Sequence, residues 1–101
     1  MVYDQTFRNT SGLLHREDGP AVIRPSGTEE WYLNGKRHRV DGPAYTRPGG
    51  TKGWYLNNKL HRTDGPAIVD AYGNEEWYLD GEPVDPLVHL VMTYDHCPDL
   101  S

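Results

Sequence analysis

Three histidines recur at a fixed interval, His15, His38 and His61, each followed at once by an arginine, Arg16, Arg39 and Arg62. Imidazoles in a row are candidate metal ligands, and guanidiniums beside glycine-rich turns are candidate phosphate ligands. Distance argues against a shared metal. Equivalent residues of successive β-repeats stand about 10–14 Å apart, whereas zinc ligands sit about 2.0–2.1 Å from a single ion. The histidines are therefore expected to hold turns, with no metal and no cofactor bound. His89, His96 and Cys97 lack the spacing of a zinc motif, and a histidine adjacent to Cys97 in sequence is not the geometry of a Cys–His nucleophile. The carboxylate pairs Glu29-Glu30 and Glu75-Glu76 alternate across their strands, so the members of each pair face opposite sides and form no acid/base dyad. No catalytic residue is expected. Each repeat arginine lies two positions before an aspartate (Asp18, Asp41 or Asp64), which predicts a local pair at the turn. The alternative use of the arginine row, with the Gly turns, is capture of a nucleotide or second messenger by its phosphates.

The elements that position these residues follow from the same interval. Trp-Tyr-Leu occurs at 31–33, 54–56 and 77–79, and Asp-Gly-Pro-Ala at 18–21, 41–44 and 64–67, both on a period of 23 residues. A fixed period over most of a short chain marks a repeat array. Within one unit, Asp18-Gly19-Pro20 is a turn, and Ala21-Val22-Ile23-Arg24 reads as a strand. Pro25-Ser26-Gly27 breaks it, and Thr28 to Leu33 forms a second strand. On that strand Trp31 and Leu33 face the core, with Tyr32 opposite. Asn34-Gly35 signals a type I′ hairpin turn, as do Asn57-Asn58 and Asp80-Gly81 in the later copies. After residue 82 the pattern stops. Asp85-Pro86 starts a helix, Leu87, Leu90, Val91 and Tyr94 form its apolar stripe, and Pro98 ends it. The expected fold is all-β, an elongated antiparallel sheet of stacked β-hairpin repeats with a short C-terminal capping helix. Its parts are a degenerate leading strand (1–14, with Phe7 near the place of a missing Trp), repeats 15–37, 38–60 and 61–82, and the helix and tail (83–101).

The segment Trp31-Tyr32-Leu33-Asn34-Gly35-Lys36-Arg37-His38 resembles the core of MORN repeats, whose period it shares, and the resemblance covers roughly residues 13–82. The His-Arg-x-Asp-Gly-Pro-Ala form is similar to a variant common in small proteins of tailed bacteriophages and some bacteria. It replaces the second glycine pair of ordinary MORN units, so the lipid association of some MORN proteins is not carried over. The resemblance implies an elongated sheet of hairpins. It implies no activity, since fold is not function.

Composition narrows the partner. With one cysteine there is no internal disulfide, and no run reaches the roughly 20 apolar residues of a membrane helix. Residues 1–5 lack a secretory signal, so a soluble protein of a reducing compartment is expected, the bacterial host cytoplasm if phage-encoded. All ten Lys and Arg lie between Arg8 and Arg62, whereas residues 63–101 hold nine acidic side chains and no basic one. An elongated array turns that order into a basic and an acidic end. The acidic end (Asp70, Glu75, Glu76, Asp80, Glu82) and the row Tyr32, Tyr55 and Tyr78 are the candidate protein-binding residues, since Tyr is favoured in interfaces. The alternative for the Tyr row is that a thin sheet needs both faces. The reading is a non-enzymatic protein-binding module, a phage-type accessory that inhibits a host factor through a basic surface. A nucleic-acid-handling complex is the expected target, as for an anti-CRISPR or other anti-defence inhibitor. No membrane and no direct nucleic-acid contact is expected. A structural assembly role, with head-to-tail self-association of the charged ends, is a further alternative.

Overall fold

The computed structural model describes residues 4–94. Seven two-residue strands form one antiparallel sheet: β1 Gln5–Thr6, β2 Val22–Ile23, β3 Glu29–Glu30, β6 Tyr45–Thr46, β7 Lys52–Gly53, β10 Ile68–Val69 and β11 Glu75–Glu76, neighbours in that order. Three separate hairpins branch from it, β4 Tyr32–Leu33 with β5 Lys36–Arg37, β8 Tyr55–Leu56 with β9 Lys59–Leu60, and β12 Tyr78–Leu79 with β13 Glu82–Pro83. The hairpin tips have positive φ at both residues, 49° and 80° at Asn34 and Gly35, which is the type I′ geometry that Asn and Gly tolerate. The molecule measures 55 × 33 × 20 Å with a radius of gyration of 15.3 Å, against about 13 Å for a compact chain of this length. The expected all-β architecture is present, and it is elongated.

The expected continuous strand from Thr28 to Leu33 is not. It divides at Trp31, whose N–H donates to Ala44 O of the next repeat at 2.7 Å, while its carbonyl accepts from His38 N within its own hairpin. Trp54 repeats this with Ala67 O and His61 N. One residue thus ends the ladder of the main sheet and begins that of the branch.

The core is thinner than the Trp count suggests. Ala21, Ala44 and Ala67 are fully buried, Val22 nearly so, and no large side chain is fully enclosed. The Trp and Tyr rows are both half-buried, which corrects the assignment of Trp31 and Leu33 to a closed core. What covers the indoles is charge. The Arg39 guanidinium lies 3.8 Å from the Trp31 ring centre, Arg62 lies 3.8 Å from that of Trp54, and Arg16 sits over Phe7 at 4.1 Å. Phe7 therefore does take the missing indole's place. Each guanidinium bonds the aspartate two residues on and the Pro carbonyl four residues on, 2.9 and 3.1 Å for Arg62. It is folded so tightly over the turn glycine that a Cβ on Gly65 would lie 2.7 Å from Arg62 Cζ. The Arg, Asp, Gly and Pro of the motif are four parts of one clamp.

The helix α1, Pro86–Tyr94, begins as expected, with the Asp85 carboxylate accepting from Leu87 N at 2.9 Å. Its expected packing stripe points the other way. Leu87, Leu90 and Val91 are 59–73% exposed, whereas His89 is 2% exposed. The His89 ring meets Trp77 edge-on at 4.8 Å and its Nε2 bonds the Arg62 carbonyl. Trp77 has no following repeat to supply an arginine, and His89 takes that place. Pro98 lies outside the described residues.

Gly65→Ala should lower stability by about 1–3 kcal/mol, because the clamp must open to admit a methyl group. Gly73 has open space around it but a φ of +87°, so Gly73→Ala tests backbone strain alone, at about 1 kcal/mol. Denaturant melts in which Gly65→Ala costs less than half a kcal/mol, roughly the scale of an ordinary surface change, would show that the guanidinium is not seated there. His89→Ala should free α1 from Trp77, with a red shift of indole fluorescence. An unchanged spectrum would mean the helix is held by other contacts.

Candidate functional site

The residues that looked most reactive are occupied by the scaffold. His15, His38 and His61 each accept, through Nδ1, the N–H of the first residue of their own repeat's hairpin turn (Asn34, Asn57 and Asp80) at 2.9, 3.1 and 2.9 Å. An Nδ1 engaged by the turn in this way is not free to ligate a metal. The arginine row is held in the clamps, each guanidinium pressed between a ring and a glycine, as the local-pair expectation had it. Cys97 and His96 lie outside the described residues.

A cluster that the sequence reading missed lies at the middle of the Tyr face. The cross-strand register Val22–Glu30–Tyr45–Gly53 puts a carboxylate among apolar neighbours. Glu30 is 5% exposed and carries three partners. Arg24 reaches Oε2 with Nε and Nη2 at 3.1 and 3.0 Å, and Arg37 Nη2 reaches Oε1 at 2.6 Å. The Tyr32 hydroxyl donates to the same Oε1 at 3.0 Å. The Arg37 guanidinium is ringed by Tyr32, Tyr45 and Tyr55 at 5.5, 4.9 and 5.1 Å. Burial pushes the Glu30 carboxyl up, but the hydrogen bonds from Tyr32, Arg24 and Arg37 and the Arg37 charge more than reverse this, leaving it below the usual carboxylate range. The signal was present in the sequence as a departure from the repeat. Arg37 is replaced by Leu60 and Pro83 in the later copies, Glu30 by Gly53 in the second copy although Glu76 restores it in the third, and Tyr45 by Val22 and Ile68 in the flanking ones. Gly53 matters sterically, since a Cβ there would lie 3.0 Å from the Tyr55 ring.

The proposed binding residues separate under this geometry. Tyr32 and Tyr55 are half-buried around Arg37, which favours their structural use over a free aromatic face. Tyr78 is bonded to Glu76 at 3.1 Å, and that bond raises its hydroxyl's pKa. Asp70 is a turn organiser: its carboxylate accepts from Asn74 Nδ2, Asn74 N and Tyr72 N, each at 2.9 Å, and the Asn74 bonds lower its pKa. Asp80 lies 3.3 Å from His61 Nδ1 with its side chain 84% exposed. Glu75 and Glu82 are exposed and enter no ion pair among the described residues. Every basic side chain of the clamps has its acid, and the cluster pairs Arg24 and Arg37 with Glu30. Apart from Glu29, the acidic side chains that enter no ion pair among the described residues gather in the third repeat and just beyond it, at Asp70, Glu75, Glu76, Glu82 and Asp85.

The fold and this surface define a β-hairpin repeat protein with an acidic end, where α1 covers Trp77 through His89 but leaves the β11 edge unpaired among the described residues. Comparison with protein-family models, with curated proteins and with solved structures gives no match to this chain. Among the described residues no helix is long and apolar enough to cross a membrane, and no group of His, Cys, Asp or Glu is gathered to hold a metal ion.

Glu30→Gln should cost about 1.5–3 kcal/mol at pH 7, the scale of hydrogen bonds to a charged group. A depressed carboxyl pKa contributes stability in full above the unfolded value, about 4.3, and loses it as pH falls through the lower folded value. The gap between wild type and variant should therefore narrow below about pH 4. A gap that stays constant from pH 7 to pH 2 would show that the charge of Glu30 contributes nothing.

Proposed function

We propose that the chain is a non-enzymatic protein-binding module of MORN-like repeats, whose acidic end docks on the basic surface of a partner. By this reading it is a phage-type accessory protein that inhibits a host nucleic-acid-handling factor, as an anti-CRISPR or other anti-defence protein does. One observation carries the reading. The acids of the first two repeats are largely consumed by internal pairs, while Glu75 and Glu82 stand exposed and unpaired at one end of an elongated body. Unpaired charge of one sign steers association with a surface of the other. The alternative of phosphate capture by Arg16, Arg39 and Arg62 is less well supported, because their donors already serve the clamp.

The test neutralises Glu75, Glu76 and Glu82 to Gln together and leaves the turn organiser Asp70 intact. Thermal stability should change little, since substitutions of exposed groups fall within about 0.5 kcal/mol. Basic proteins captured from a bacterial lysate by wild type should be lost from the variant. Association should slow and depend less steeply on salt. Capture that is unaltered in the triple variant, at low and at moderate salt, would overturn the reading.

A further inference from the structure

The main sheet is open at its acidic side. In the first two repeats the Trp N–H donates across to the next repeat, Trp31 to Ala44 O and Trp54 to Ala67 O at 2.7 and 2.8 Å. The corresponding Trp77 N–H has no such partner among the described residues. Strand alternation shows which other groups share its direction. Glu76 O and Asn74 O accept from Ala67 N and Asp70 N, so residues 74 and 76 face inward and residues 75 and 77 face outward. Glu75 N–H, Glu75 C=O and Trp77 N–H thus line one edge, the Trp77 carbonyl being taken by Val84 N. The side chains tell the same story. Glu29 and Glu30 are covered by the strand beside them, whereas Glu75 and Glu76, their equivalents, are exposed.

We propose that the β11 edge from Glu75 to Trp77 is a strand-acceptor slot that takes an extended basic segment of a partner protein as an eighth, antiparallel strand. This rests on the acidic-end reading above and supplies its mode of contact, main-chain pairing for affinity with side-chain charge for selection. The two filled positions show what the slot accepts, since β6 and β10 occupy it in the earlier repeats with an alanine carbonyl at the Trp N–H. Two features exclude a second copy as the natural occupant. Every neighbouring pair in the seven-stranded sheet is antiparallel, so β1 and β11 run in the same direction. A copy added head to tail with its faces aligned would offer β1 in parallel, out of step with the rest of the sheet. A two-fold arrangement would pair β11 with β11 and set Glu75 and Glu76 against their own counterparts, which like charge opposes. A strand carrying Lys or Arg meets neither obstacle.

The probe is a short peptide alternating Lys and Thr, acetylated and amidated, titrated into the full-length chain at low salt and followed by amide NMR and hydrogen exchange. The same peptide N-methylated at alternate residues keeps its charge but cannot pair on one edge. The unmethylated peptide should bind, slow the exchange of the Trp77 N–H, and exceed its methylated form by about tenfold or more, as expected for lost main-chain hydrogen bonds. Glu75→Pro, which removes an outward N–H at a sheet edge where proline is tolerated, should weaken binding more than Glu75→Gln. Equal binding of both peptides with no protection at Trp77 would overturn the strand slot and leave the acidic-end reading standing. Binding of neither peptide would overturn both. Protection of Trp77 in the free protein would also overturn the proposal, by assigning the edge to the chain itself if it sediments as a monomer and to a second copy if as a dimer.

Discussion

The second and third repeats are each joined to the one before by a guanidinium set over its indole. The plane of Arg39 or Arg62 can rest there only because its own turn holds it from behind, with aspartate on Nε, a proline carbonyl on Nη1 and a glycine beneath. Arginine suits this role because its fork can donate in the plane while its face stacks. The alternating logic of the fold follows. Turn chemistry fixes the cation, the cation covers the preceding Trp, and the Trp backbone links main sheet and hairpin.

That dependence explains why so little aliphatic surface is needed. Alanine fills the narrow space between strands, and larger groups are half-covered from outside. The ends must then be treated separately. At the start Phe7 receives the first arginine, and at the finish His89 substitutes for the absent fourth. The central cluster of Glu30, Arg24, Arg37 and the three tyrosines is a second, unrepeated tie, and it spans adjacent repeats on the opposite face.

The period, the turns and the pairing of each arginine with the nearby aspartate were legible in the sequence, because turn residues answer to local backbone geometry. The division of the strand at Trp31 was not, since it depends on a carbonyl one repeat away. The helix was legible in place and misleading in orientation. Periodicity counts apolar side chains, and the buried one here is His89, chosen for a ring edge and a carbonyl that only the folded end presents. Glu30 and Arg37 were readable as departures from the repeat, but Glu30 resembled the exposed Glu76 until a covering strand distinguished them. Attention to identity across copies favours scaffold residues, and the unique contacts lie where the copies differ.

The alanine core also sets how the molecule responds to temperature. Melting it would release stacked ion–ring contacts and turn hydrogen bonds but comparatively little hydrocarbon, so the heat-capacity increment of unfolding should fall below the usual value of about 12–15 cal/mol/K per residue. A small increment flattens the stability curve. Such a protein trades a tall maximum near room temperature for a broad plateau, and it resists cold as evenly as moderate heat.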